Sequence, residues 1–179
     1  MSHCKGVRGS AMLEFSLIGI PTIFLLISVA DLSFGMMTMH TMQEAVEQGA
    51  RYVVTRGSTC SSGTNSCTVT VQQIAATIAA AAAGISPSQL QVTLTTNSGA
   101  ATTCTTLSSC LASCATSCNG SRATVWPPSG GTDNSPGSDV IITADYNFTS
   151  LITMFWPRVG GASVSNTSFH AKSRQRLMF

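Results

Sequence analysis

The chain has 179 residues, enough for one compact domain beyond an anchor. Only 9% are charged, against roughly 25% in ordinary soluble domains, while 44% are hydrophobic. A net charge of +2, with no arginine-rich stripe interleaved with aromatics, argues against nucleic acid as a partner.

Residues 1–9 read MSHCKGVRG, with Lys5 and Arg8 and no acid to offset them. Positive residues stay on the cytoplasmic side, so the N-terminus is expected inside and the rest exported. From Phe15 to Ala30 no residue is charged. With its apolar flanks the run exceeds the roughly 20 residues that a spanning helix needs. Glu14 and Asp31 interrupt it seventeen residues apart, about 25 Å along a helix. That approaches a hydrocarbon core of about 30 Å, so each acid is expected near one interface. Two readings stand: both carboxylates reach water, or Glu14 meets a partner charge such as a neighbouring subunit's N-terminal amine. Pro21 removes a backbone donor and is expected to kink or loosen the helix. Gly19 and Gly35 offer small faces to another helix. The length of the run, and Asp31 at its end, argue against a cleaved signal peptide.

Gly9 is followed by Ser10-Ala-Met-Leu and then Glu14-Phe15. A basic leader, a glycine, four residues, then Glu and an aromatic resembles the processing site of Flp-type prepilins and pseudopilins. The resemblance implies a cut between Gly9 and Ser10 by a membrane-embedded prepilin peptidase. It makes Glu14 the fifth mature residue, and Glu14 and Phe15 assembly residues.

Met39, Met42, Ala45, Val46, Ala50 and Val53 recur at helical spacing, which extends the first helix to about Thr55. Asp31, Gly35 and the run Gly49-Ala50-Arg51 resemble the TadE-like pattern of an Asp-x-x-x-Gly step and a Gly-Ala-Arg segment. Arg51 is read either as functional or as a solvated or packed helix residue. The division that follows is a leader at 1–9, an anchoring helix at 10–57 and an exported domain at 58–179.

Of seven cysteines, Cys4 precedes the anchor. The other six, Cys60, Cys67, Cys104, Cys110, Cys114 and Cys118, follow it. One plus an even six fits a reducing and an oxidising side of a membrane, with up to three disulfides outside. Six cysteines allow about 15 pairings, among which sequence does not choose. Cys110, Cys114 and Cys118 could share a helical face, but no ligand stands near them at zinc spacing, so no metal or cofactor is expected.

Val71 to Ala83 is alanine-rich and reads as a second helix, with Gly84 as its C-cap and Pro87 beyond. Gln89 to Thr96 alternates Leu90, Val92 and Leu94 against polar residues, as a half-buried strand does. Residues 97–137 are poor in large apolar side chains and read as a loop insertion ordered by disulfides. Asp139 to Thr149 is a strong strand, with Val140, Ile142, Ala144, Tyr146 and Phe148 on one face. Leu151 to Trp156 is read as passing near the membrane or covering the core, and Val159 to Gly161 as a turn. A weaker last strand is expected over Ala162 to Ala171, alternating Ala162, Val164, Asn166 and Ser168, with Val164 and Phe169 as main anchors. Lys172, Arg174 and Arg176 are read as a solvated basic tail.

The fold class is therefore α+β: a long transmembrane helix, and a second helix on a small antiparallel sheet with a disulfide-stapled insertion. There is no H-E-x-x-H, G-x-S-x-G or phosphate-loop motif, and His3, His40 and His170 are scattered, so no enzyme is expected. The TadE-like resemblance covers most of the chain except the insertion. It implies a structural minor pilin or pseudopilin of a Tad-type adhesive pilus. It also implies a single pass through a bacterial inner membrane, with the C-terminal domain periplasmic or in the fibre. Implied partners are the prepilin peptidase, other pilins and pseudopilins, an inner-membrane assembly platform and a cytoplasmic ATPase. The alternatives are an unprocessed, membrane-anchored binding or scaffold module, and a disulfide-rich hydrolase on a signal anchor.

Overall fold

The computed structural model describes residues 8–56, 69–112, 125–128, 132–150 and 167–178, with side chains from residue 12 onward. The chain forms two compact units: Met1–Met36 with Thr149–Asn166, and Met37–Phe148 with Thr167–Phe179. The first helix, α1, runs Arg8–Val54 and contributes to both. Its observed end is one residue short of the expected Thr55.

In the first unit α1 is an apolar rod. Met12, Leu13, Phe15, Leu17, Ile18 and Leu32 are all exposed, and their spacing places them all round the helix. Each such side chain stabilises by about 1.5–3 kcal/mol when taken out of water, so this surface is built for hydrocarbon. The helix is long and apolar enough to cross a bilayer. Its hydroxyls are satisfied internally: Ser16 donates to the Met12 carbonyl at 2.9 Å, Thr22 to Ile18 at 2.7 Å and Ser28 to Phe24 at 2.8 Å. Without water, such back-bonding to the preceding turn keeps Ser and Thr tolerable. Helical backbone continues through Pro21.

The second unit is a four-stranded antiparallel sheet, order β2-β1-β3-β4, with helices on one face. The strands are β1 (Leu90–Thr96), β2 (Ala101–Cys104), β3 (Asp139–Phe148) and β4 (Thr167–Arg176). Leu90, Val92, Leu94, Val140, Ile142, Ala144 and Ala171 point inward. They meet Met42, Val46 and Val53 of α1, and Ile74 and Ile78 of helix α2 (Val71–Ala81), in one buried cluster. The alternation expected for β1 and β3 is observed.

Three expectations are corrected. Helix α2 stops at Ala81 and is capped at Ala82, whose N–H bonds the Ile78 carbonyl; Gly84 lies beyond, turning the chain at φ 84°. The insertion is not all loop: β2 pairs with β1, and a short helix α3 (Leu107–Leu111) follows. The β2 sequence Ala-Thr-Thr-Cys has no apolar period to announce it, and its order comes from edge pairing and a disulfide. Finally, β4 is described over Thr167–Arg176, so the supposed basic tail lies inside it. Phe169, an expected anchor, packs on the core side with Ala171, while Ser168 faces outward; Ala162, Val164 and Asn166 lie outside the described residues. Residues 151–166, with the expected turn at Val159–Gly161 and the apolar Leu151–Trp156, lie outside the described residues.

Candidate functional site

The first candidate residues occupy the start of α1. Gly9 and Ser10 are in its first turns as helical backbone. Glu14 and Phe15 follow within the apolar rod, and Phe15 is 76% exposed. The Phe15 ring lies one turn from Gly19, where a Cβ would sit 3.8 Å from Phe15 Cε1. Glu14, Phe15, Ile18, Gly19 and Ile23 are among the residues lining an open groove of about 600 Å³. A carboxylate and an aromatic in the lining of an apolar groove make a surface suited to another membrane helix.

Asp31 does not reach for water. It is only 8% exposed, and Ser150 Oγ donates to its Oδ2. Both residues belong to the first unit. One turn further, Gly35 is buried too. The Asp-x-x-x-Gly step therefore marks a packed, hydrogen-bonded face of α1. Sequence alone does not reveal Ser150 as the partner, because the two lie 119 residues apart.

The Gly49-Ala50-Arg51 run divides by face. Gly49 and Ala50 are buried, and a Cβ on Gly49 would come within 2.6 Å of Ile78 Cγ1. Gly49 thus sets how closely α1 approaches α2. Arg51 points outward and pairs with Glu47 at 2.5 Å, four residues earlier. An acid one turn N-terminal to a base is the favourable order on a helix. Of the three residues, the structural constraint falls on the glycine and alanine.

One disulfide of the candidate set is described: Cys104 at the end of β2 bonds Cys110 in α3. Cys60, Cys67, Cys114 and Cys118 lie outside the described residues. Among the described residues no group of three His, Cys, Asp or Glu is arranged to hold a metal.

Two carboxylates that the sequence does not single out hold the exported unit together. Asp133 is buried and accepts from Thr96 Oγ1 at 2.9 Å, the Ser98 amide at 3.2 Å and Ser98 Oγ. It ties the short 3-10 turn Thr132–Asn134 to the β1–β2 hairpin. The Ser98 hydroxyl above all, then Thr96 and the Ser98 amide, hold its pKa below the ordinary aspartate value, against the opposing effect of burial. Asp139 accepts from Arg174, with Arg176 at 3.5 Å, and its pKa is likewise lowered, chiefly by the Arg174 hydrogen bond.

The TadE-like protein family model matches residues 9–51. That segment is TadE-like. It contains Gly9, Glu14, Asp31, Gly35, Gly49 and Arg51, and stops just before the end of α1. No curated protein and no solved structure matches the chain. The TadE-like family is a pilus-related structural family, and the match to it ends at residue 51. Among the described residues one helix is long and apolar enough to cross a membrane, which fits a single-pass membrane protein.

Proposed function

We propose that the chain is a minor pilin or pseudopilin of a Tad-type pilus, needed to assemble or prime an adhesive fibre. A prepilin peptidase cuts between Gly9 and Ser10. The helix stays in the inner membrane with its N-terminus cytoplasmic, while residues beyond 57 are exported. Glu14 and Phe15 guide lateral packing against other pilins and pseudopilins, and the assembly platform and its ATPase supply the work.

One observation carries this reading: the TadE-like match starts at the glycine of the candidate cleavage site and runs through a helix whose apolar side chains are exposed all round. A soluble domain would bury them. A helix that first spans a bilayer and then packs against its neighbours has a use for each. The Cys104–Cys110 disulfide fits export to an oxidising compartment.

The test is the N-terminal residue of the protein isolated from its native membrane, by intact mass and N-terminal sequencing. A chain starting at Ser10 is expected. Retention of Met1 would overturn the pilin mechanism and leave an unprocessed, membrane-anchored binding or scaffold module. A start near Asp31 would make the apolar run a signal peptide.

A further inference from the structure

The described charges of the exported unit are matched almost completely within it. Glu47 pairs with Arg51, Asp145 with His170, and Asp139 with Arg174 and Arg176. Asp133 is met by hydroxyls and an amide, and Arg56 lies 3.8 Å over the Tyr52 ring. Two full charges remain with no ion pair, side-chain hydrogen bond or ring contact among the described residues: Glu44 and Lys172. They are opposite in sign, and both are exposed.

They also stand on opposite sides of the unit. Glu44 lies on the outer side of α1, beside the exposed Gln43, Glu47 and Gln48, while Met42, Ala45 and Val46 of the same turns are buried. Lys172 projects from the face of the sheet that the helices leave open. Its neighbours in sequence, Ala171 and Ser173, face the other way, and across the sheet it is in register with Thr143, then Thr93, then Thr103. The sheet itself separates the two charges, so they cannot meet within one folded copy.

We propose that Glu44 of one copy docks against Lys172 of a second copy, the outer face of α1 lying on the open face of the neighbouring sheet. The surroundings are compatible. Gln43 and Gln48 offer amides to the hydroxyl row Thr143–Thr93–Thr103, and the flanking charges are already neutralised within their own copies. The contact joins two different surfaces, so it is head-to-tail and can repeat into an open filament rather than close as a two-fold dimer. An exposed ion pair contributes little affinity and mainly fixes register; the membrane helix holds the copies together. This contact rests on the pilus reading and names the neighbour that reading requires.

The test uses the full-length chain, made in light and heavy isotope forms, mixed in phospholipid vesicles and treated with a carbodiimide. That reagent joins a carboxylate directly to an amine. Glu44–Lys172 peptides of mixed isotope are expected. Their absence, or links of a single isotope only, overturns the proposal. In cells, Glu44→Lys and Lys172→Glu should each reduce the fibre several-fold, and the double swap should restore it; failure of the double swap also overturns the contact. Sheared fibres separate this contact from the pilus reading. A mixed-isotope link in a protein absent from fibres sinks the pilus reading alone, whereas a fibre subunit without the link sinks only this contact.

Discussion

Gly49 of α1 lies so close to Ile78 of α2 that a methyl group on Gly49 would sit 2.6 Å from Ile78 Cγ1 and 3.0 Å from its Cδ1. Ile142 Cδ1 on the sheet is 3.6 Å away, so the site is bounded by both a helix and a strand. Ile78 has little room to yield, being itself fully buried.

Gly49→Ala should therefore destabilise the exported unit despite the better helix propensity of alanine. Overpacking of this kind costs about 1–3 kcal/mol, against about 1 kcal/mol gained from propensity. Thermal unfolding of the full-length chain in detergent should show a lowered midpoint. Adding Ile78→Ala to Gly49→Ala should destabilise less than the two single changes summed, because the methyl then fills part of the cavity. Strict additivity would mean that the helices separate instead of clashing.

The Cys104–Cys110 bridge closes a short loop, at a sequence separation of 6, and holds α3 against the end of β2. Loop-closure entropy for so small a ring is worth about 2 kcal/mol. Cys104→Ser with Cys110→Ser should lower stability by about that amount and loosen the β2 edge first. Hydrogen exchange should read faster exchange at Thr102 and Thr103 than at Ile142, which sits in the central strand β3. Equal acceleration everywhere would mean that β2 and the core unfold as one.

Asp133 gives a pH signature. Its pKa is lower in the folded chain than in the unfolded one, so the unfolded state binds its proton more readily. The stabilisation is therefore complete above the ordinary aspartate pKa of about 3.9, and is lost as pH falls through the depressed folded value. Asp133→Asn should flatten the acid limb of a stability-versus-pH curve. At neutral pH it should destabilise by on the order of 1–3 kcal/mol, because Thr96, Ser98 and the Ser98 amide lose their charged acceptor. Asp139 has the same sign, through Arg174, so part of the acid slope survives in this variant.

What the sequence reveals of this fold follows from how local each signal is. The period of α1 and the alternations of β1 and β3 are written in consecutive residues, and all three elements stand where those patterns put them. Strand β4 is hard to place from sequence because Lys172, Arg174 and Arg176 look like a soluble tail until Asp139, 35 residues before Arg174, supplies a partner. On an edge strand, charges belong on the open face, where they discourage further pairing. Strand β2 carries no apolar alternation at all. At the candidate site, Gly49 and Arg51 are legible as a motif, but only packing shows that the glycine touches a partner helix while the arginine faces outward. Ser150 is invisible as the partner of Asp31, since nothing in a serine announces a contact 119 residues away.

That last pair yields a prediction about the first unit. Asp31 is a buried carboxylate at the end of the apolar run, and an acid there is tolerable only while its oxygens are met. Ser150→Ala removes one donor and should destabilise the unit by about 1–3 kcal/mol, as expected for a hydrogen bond to a charged group. Asp31→Asn keeps an acceptor oxygen and discards the charge, so combining it with Ser150→Ala should be milder than Ser150→Ala alone. Limited proteolysis of the full chain in vesicles reads the outcome: cleavage after Phe148 should accelerate in Ser150→Ala and slow again in the double variant. If Ser150→Ala left the rate unchanged, the hydroxyl would not be what keeps Asp31 in place, and the Asp-x-x-x-Gly face would be held by packing around Gly35 instead.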